Sequence, residues 1–113
     1  MIRQDILENQ VRPVYIAIGS NLGNRVINIE KAKFQLVQNN IFISKSSSYY
    51  ESLSWPNPDN PKFLNIVLEI FTNLPPLKLL KICKKIEKIL GRKKGLKNSP
   101  RICDIDILDY ANK

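Results

Sequence analysis

The sequence contains no histidine, and this absence narrows the chemistry that the protein can perform. Histidine is the side chain that most often acts as a general acid or base near neutral pH. None of the 113 residues is a histidine. Any catalysis must therefore depend on carboxylates, cations, bound metal ions and the positioning of substrates.

Cysteine is also scarce, and Cys83 and Cys103 are its two copies. They do not form the closely spaced pairs that bind structural zinc, so we do not expect a zinc site. Both lie in apolar stretches of sequence. This context favours two reduced thiols in the core over a disulfide bond.

Long apolar runs are missing as well. No stretch reaches the roughly 20 apolar residues that a membrane-spanning helix needs. The start of the chain, residues 1–12, lacks the apolar segment of a secretory signal. We therefore expect a cytoplasmic protein with no membrane partner.

The residues that are present indicate one folded domain with a basic surface. Hydrophobic residues make up 43% of the sequence and charged residues 25%, which is ordinary for a folded protein of this length. The net charge is +8. Such a charge suits a nucleic acid, a membrane surface or a nucleoside triphosphate, and charge alone does not choose among the three.

The order of the predicted elements indicates an α+β fold. Strands are predicted at 14–18, 41–50, 62–72 and 102–108, and helices at 25–38 and from 74 to about 90. Residues 1–13 are predicted to be a loose extension before a single domain at 14–113, residues 20–23 a tight turn, and the proline-rich residues 51–61 a loop. This order predicts a ferredoxin-like βαββαβ fold, an antiparallel sheet with both helices on one face.

The alternation of side chains along the strands predicts which residues lie on the uncovered face of the sheet. Asp104 and Asp106 share one face of the last strand, and the apolar residues around them share the face that meets the helices. The same reasoning for the strand at 62–72 leaves Phe63 and Asn65 on the open side. Two carboxylates about 6–7 Å apart at their roots can converge on a hard cation such as magnesium.

The pair Asp104 and Asp106 has a simpler interpretation, a solvated Asp-x-Asp on an edge strand. Nearby cations favour a binding site, because they can neutralise a polyphosphate while the aspartates hold its metal ion. A disordered basic loop is the alternative interpretation of the same cations. These are Arg92, Lys94, Lys97 and Arg101.

Four separated segments together resemble one known family. They are 15–23 (YIAIGSNLG), 61–65 (PKFLN), 91–92 (GR) and 100–108 (PRICDIDIL). They look like the 6-hydroxymethyl-7,8-dihydropterin pyrophosphokinases of folate biosynthesis, in register from residue 14 to about 110. The resemblance implies a ferredoxin-like core and transfer of the pyrophosphoryl group of ATP to the pterin hydroxymethyl oxygen, with release of AMP.

The resemblance also implies roles for individual residues. Asp104 and Asp106 would hold two Mg²⁺ ions, and Arg92 and Arg101 would be the catalytic cations. Phe63 would stack on the pterin and Asn65 would hydrogen-bond to its edge. The implied ATP contacts are Lys84, Glu87, Arg92, Lys94, Arg101 and Ile107. The implied pterin contacts are Ser52, Leu53, Trp55, Phe63, Asn65, Asp104 and Asp106.

The sequence departs from the family pattern in several places. Ser99 stands where glycine is usual, Leu53 replaces a proline, and the loop at 93–98 is one residue short and lacks an aromatic. Lysines at 84 and 94 are also substitutions. Family members continue beyond the last strand with further ATP ligands, including a His-Tyr pair and an arginine, and an aromatic that closes over the pterin. We therefore expect this chain to lack that C-terminal segment and to turn over weakly or not at all.

Two other interpretations stay open. A ferredoxin-like sheet with open-face aromatic residues and a charge of +8 also suits a single-stranded nucleic-acid-binding module. That interpretation does not explain Asp104 and Asp106, which repel phosphates without a metal ion, so we expect no nucleic acid partner. The other interpretation is an inactive fragment. As a member of the resembled family, the protein would act as a monomer on ATP and the pterin alone.

Overall fold

The computed structural model describes residues 12–91 and 99–110, which form an antiparallel sheet with two helices on one face. The sheet has the order β2-β4-β1-β5, and the short β3 also pairs with β4. This is the α+β ferredoxin-like arrangement that the sequence predicts. The strands are β1 (Arg12–Ser20), β2 (Phe42–Ser46), β3 (Tyr50–Ser52), β4 (Phe63–Thr72) and β5 (Asp104–Tyr110), and the helices are α1 (Arg25–Gln38) and α2 (Pro76–Ile89).

The prediction of one strand at 41–50 followed by a loop is wrong, because two strands, β2 and β3, pair with β4 in turn. The ladder is interrupted at Ser47. Its backbone N–H donates to the carbonyl of Val67 at 2.8 Å, and its hydroxyl accepts from the N–H of Val67 at 2.8 Å. A serine hydroxyl that takes the place of a backbone carbonyl stops the regular pairing at that residue.

Strand β5 contains an irregularity that simple alternation does not predict. Its residues opposite β1 jump from Ile107 to Asp109, so Leu108 is an extra residue. Such a bulge shifts the alternation by one residue. Tyr110 therefore enters the core, and its phenol donates a hydrogen bond to the carbonyl of Leu74, just before α2.

The core lies between the helices and one face of the sheet. Along β4, half-buried and buried residues alternate from end to end, as predicted. Each buried aliphatic side chain contributes roughly 1.5–3 kcal/mol to folding. The buried apolar residues of the three long strands are Val14, Ile16, Ile18, Leu64, Ile66, Leu68, Ile70, Ile105 and Tyr110.

The helices bury narrower apolar stripes than the sequence predicts. Val26, Val37 and Leu80 fit the helical spacing of apolar residues in the sequence, but they are exposed because only side chains that point straight at the sheet are covered. Asn24 caps the start of α1, since its Oδ1 accepts a hydrogen bond from the N–H of Ile27 at 3.1 Å. The buried helix residues are Ile29, Ala32 and Leu36 in α1, and Leu79, Cys83, Ile86 and Glu87 in α2.

One feature expected from the composition, a pair of reduced core thiols, is seen in the structure. Cys83 and Cys103 are free and buried, as predicted. Each helix has 14 residues, and within the described ranges neither is long and apolar enough to cross a membrane.

Candidate active site

Three strands bring the predicted site residues into one row across the open face. Gly19 in the central strand β1 pairs with Asn65 of β4 on one side and with Asp104 of β5 on the other. Directly opposed residues of antiparallel strands point to the same face. Asn65 and Asp104 therefore share the open face, with two strand spacings, about 10 Å, between their backbones.

The central strand contributes only its smallest side chains to this part of the open face. A Cβ on Gly19 would lie 2.9 Å from Asn65 Oδ1 and 3.2 Å from Phe63 Cδ1. Ala17, the next residue of β1 on this face, pairs with Asp106. Glycine and alanine thus form the floor of a trough. Its walls are Phe63 and Asn65 on β4, and the two aspartates on β5.

Asn65 has a defined orientation in the β4 wall of the trough. Its Nδ2 donates to Ser52 Oγ at 2.8 Å and to the carbonyl of Tyr50 at 3.3 Å, both on β3. These bonds direct Oδ1 towards Gly19. An amide oxygen beside the half-buried ring of Phe63 suits a flat heterocycle that carries hydrogen-bond donors on its edge.

The aspartates form an electrostatically strained pair. Partial burial raises the pKa of Asp106 above its ordinary 3.8, and the negative charge of Asp104 and a hydrogen bond to it raise the pKa further. A divalent cation relieves such repulsion, and magnesium prefers oxygen ligands. Residues 12–91 and 99–110 contain no group of three or more His, Cys, Asp or Glu that could hold a metal ion. A cation at the pair would therefore complete its shell with water or phosphate oxygens.

Arg101 lies beside this pair. Its guanidinium donates to Asp104 Oδ1 at 3.2 Å, and both side chains are about a quarter exposed, at 27% and 22%. A guanidinium carries five N–H donors in a planar fork that matches phosphate oxygens. Arg101 can therefore contact an anion at the trough while it remains close to Asp104.

Glu87 is a buried support of the site. It is 2% exposed, and its Oε2 accepts a hydrogen bond from the N–H of Ile105 at 2.7 Å. Its Oε1 lies 3.6 Å from Nζ of Lys84, whose side chain is 59% exposed. Ile105 lies between the two aspartates, so Glu87 fixes the part of β5 that presents them. Glu87 also raises the pKa of Asp106, whereas the charge of Lys84 lowers it.

The other predicted site residues are not all brought to the trough. Leu53 and Trp55 are 64% and 84% exposed in the loop that follows β3. Ile107 is half-buried and packs against the core. Arg92 and Lys94 lie outside the described residues.

Asn21 organises the site, although no sequence pattern assigns it this role. It is 3% exposed. Its Oδ1 accepts from the N–H of Arg101 at 2.6 Å, and its Nδ2 donates to Ser54 Oγ at 3.0 Å and to the carbonyl of Pro61 at 3.1 Å. The position of Asn21 in a turn after a buried strand was a partial signal. Its partners are too distant in sequence for any local pattern to identify them.

Comparison with known proteins gives a consistent result. The model of a family described as 7,8-dihydro-6-hydroxymethylpterin-pyrophosphokinase matches residues 15–112. The 2-amino-4-hydroxy-6-hydroxymethyldihydropteridine pyrophosphokinase of Aquifex aeolicus is 43% identical over 100 residues, which are 88% of this chain and 62% of that protein. The protein of the same name from Bacillus subtilis is 40% identical over 95 residues, which are 83% of this chain and 57% of that protein.

Longer relatives and solved structures also match. The mitochondrial folate synthesis bifunctional protein of Arabidopsis thaliana is 40% identical over 98 residues, which are 87% of this chain and 18% of that protein. A crystal structure of an unknown protein from Galdieria sulphuraria has a TM-score of 0.55 at 12% identity, covers 95% of this chain and 51% of that chain, and shows the fold alone. The chain thus spans about three fifths of the length of the bacterial relatives and less of the others.

Proposed function

The chain belongs to the 7,8-dihydro-6-hydroxymethylpterin-pyrophosphokinase family, and we propose that it transfers the pyrophosphoryl group of ATP to the hydroxymethyl group of 6-hydroxymethyl-7,8-dihydropterin. AMP is the other product, and the reaction belongs to folate synthesis. The observation that carries the proposal is the trough, in which Asp104 and Asp106 face an aromatic ring and an amide across a floor of Gly19 and Ala17.

The β4 wall of the trough is the proposed pterin site. Phe63 stacks on the ring, and Asn65 uses its oriented amide to bind the polar ring edge, because β3 holds that amide in place. The bicyclic ring is proposed to lie across the floor, where Gly19 and Ala17 have the smallest side chains. Further pterin contacts are proposed for the loop residues Ser52, Leu53 and Trp55.

The β5 wall is the proposed site for metal ions and phosphates. Asp104 and Asp106 would hold two Mg²⁺ ions, a donor set that agrees with their mutual repulsion in the structure. When bound, magnesium neutralises phosphate charge and lowers the pKa of a hydroxyl that contacts it, which removes the need for a histidine base. Arg101 is a proposed catalytic cation, and its contact with Asp104 keeps the guanidinium beside the transferred group.

The remaining ATP contacts are proposed at the end of α2 and after it. Lys84 is exposed and close to Glu87, so its ammonium can reach a nucleotide bound next to β5. Glu87 is also a proposed ATP contact, and its side chain is buried. The full proposed set is Lys84, Glu87, Arg92, Lys94, Arg101 and Ile107, with Arg92 as the second catalytic cation.

The proposed partners are two small molecules, with no nucleic acid and no membrane. We also propose that the protein acts as a monomer. A cytoplasmic location stays a prediction, since the Arabidopsis thaliana relative is named as mitochondrial.

The test is a turnover assay on the purified protein. Incubated with ATP, Mg²⁺ and 6-hydroxymethyl-7,8-dihydropterin, the protein should release AMP and form the pterin diphosphate in equal amounts, both dependent on the pterin. Replacing both aspartates, Asp104→Asn with Asp106→Asn, should abolish this release. Asp109→Asn is the matched control, because Asp109 lies on the same strand beyond the bulge and pairs with Tyr15.

The proposal includes binding of the pterin, which turnover alone does not measure. Calorimetric titration with the pterin in the presence of Mg²⁺ and a non-hydrolysable ATP analogue therefore accompanies the assay. Failure of both, with no AMP and no pterin binding, contradicts the proposal.

A further inference from the structure

We infer that Asn21 is a positioning residue that holds Arg101 and the loop of the pterin side in a fixed relation to each other. The inference rests on the proposed function, because that function gives the two segments their roles. Asn21 lies in the turn between β1 and α1, at the end of the strand that forms the trough floor.

The contact between Asn21 and Arg101 fixes the arginine backbone from both sides. The N–H of Asn21 donates to the carbonyl of Arg101 at 3.0 Å, and Asn21 Oδ1 accepts from the N–H of Arg101 at 2.6 Å. Two bonds to the backbone of one residue, one on each side of its Cα, determine where the arginine side chain starts. That side chain then reaches Asp104 at 3.2 Å.

The contact between Asn21 and the loop closes that loop at its base. Asn21 Nδ2 donates to Ser54 Oγ and to the carbonyl of Pro61, and Ser54 Oγ also donates to the carbonyl of Pro61 at 2.6 Å. Ser54 is 6% exposed. The two ends of the loop are therefore joined to each other and to Asn21. Phe63, which forms the trough wall, follows two residues after the closure.

The chemistry of these partners requires an asparagine. An N–H needs an acceptor and a carbonyl needs a donor, so the partners determine which way the amide points. Aspartate at this position keeps an acceptor for Arg101 and loses the donor for Pro61. Alanine loses both. The two halves of the proposed role can therefore be separated by substitution.

The experiment compares four variants of the full chain with the wild type. They are Asn21→Ala, Asn21→Asp, Ser54→Ala and the control Asn28→Ala. Asn28 is the matched control because its amide donates to Ser20 Oγ at 3.1 Å and to the carbonyl of Leu22 at 2.8 Å, which anchors the same turn without contacting Arg101. Amide hydrogen exchange at Arg101 and steady-state kinetics are measured for each.

In Asn21→Ala, the Arg101 N–H should exchange about tenfold faster, because its partly buried hydrogen bond is lost. Its kcat/KM should fall about 100-fold, the size of loss that misplaced catalytic groups produce. Asn21→Asp should keep slow exchange at Arg101 and a near-normal kcat, and should raise KM for the pterin. Ser54→Ala should raise the same KM to a smaller extent, and Asn28→Ala should resemble the wild type in exchange and kinetics.

The inference is overturned if the Arg101 N–H exchanges at the same rate in Asn21→Ala as in Asn28→Ala. This holds even if the wild type turns over. If Asn21→Ala does not fold, Asn21→Asp is the deciding variant. Equal falls in kcat and in 1/KM for Asn21→Asp would show that the two contacts of Asn21 do not have separate roles. A wild type with neither turnover nor pterin binding overturns the proposed function. The exchange rates then still decide whether Asn21 holds Arg101.

Discussion

Gly19 shapes the trough through the side chain that it lacks. In Gly19→Ala the new Cβ would lie 2.9 Å from Asn65 Oδ1 and 3.2 Å from Phe63 Cδ1, so both side chains must shift. We expect a loss of about 1–3 kcal/mol in the free energy of unfolding, as is usual for overpacking. Pterin binding should also weaken. Urea unfolding and calorimetric titration with the pterin measure the two effects.

Gly23→Ala is the control for this prediction. Gly23 has a φ of 73°, and a Cβ there would approach Asn28 Nδ2 no closer than 3.7 Å. Alanine at that φ costs roughly 1–2 kcal/mol through backbone conformation alone. Gly23→Ala should therefore lose stability and keep pterin binding. Unchanged pterin affinity in Gly19→Ala would show that the ring does not lie over the trough floor.

Tyr49 and Glu30 form a pair whose contribution to stability depends on pH. The phenol of Tyr49 donates a hydrogen bond to the carboxylate of Glu30 in α1. Burial, followed by this hydrogen bond, raises the pKa of Tyr49 from 10.0 to about 12. The folded state thus favours the neutral phenol. The stabilisation is complete below pH 10 and is lost as the pH rises from 10 to about 12.

Phenolate absorbance measures this titration directly. The difference between the wild type and Tyr49→Phe should have its midpoint near pH 12, and Glu30→Gln should move that midpoint towards 10. Circular dichroism at each pH checks that the protein remains folded. A wild-type midpoint near 10 would rule out the Tyr49–Glu30 bond in solution.

At the scale of elements, a buried carboxylate joins α2 to β5 in addition to their apolar packing. Glu87 is 2% exposed and accepts from the N–H of Ile105 at 2.7 Å. Glu87→Ala leaves this buried donor unsatisfied and should cost about 1–3 kcal/mol. Glu87→Gln keeps an acceptor oxygen and should cost less. Chemical unfolding of both variants measures the difference, and equal losses would mean that the hydrogen bond is unimportant.

The alternation of residues was sufficient to predict the elements that present the trough walls. Phe63 and Asn65 on β4, and Asp104 and Asp106 on β5, were all placed on the open face because a strand has a period of two residues. Their roles in binding stay predictions. At Ser47 a side-chain hydroxyl replaces backbone pairing, so the residue pattern did not predict that the strand at 41–50 is interrupted there.

Features that depend on distant partners could not be predicted. The amide of Asn21 bonds to residues 33 and 80 positions away. The sequence shows only a polar residue in a turn, which is typical of turns in general. The burial of Glu87 was hidden for a similar reason. A charged residue on a lysine-rich helix indicates a solvent-exposed position until the strand that receives its hydrogen bond is known.

At the scale of the whole molecule, the two cysteines can report the opening of the single core. Cys83 and Cys103 are both 0% exposed. Burial, with a further contribution from Glu87, raises the pKa of Cys83 to about 11, so little thiolate is present at neutral pH. Neither thiol should react with an aromatic disulfide reagent faster than the protein unfolds, and both should react in denaturant. A thiol that reacts quickly in the native protein would indicate a locally open core.

Strand β5 lies at one end of the described sheet, where it pairs with β1. Unpaired strand edges recruit extended segments of other molecules, which is a common start of aggregation. Here the N–H of Ile105 is already bonded to Glu87 of the same chain. The aspartates on either side add charge that an incoming strand would have to approach. The carboxylate that supports the candidate active site therefore also protects this edge against self-association.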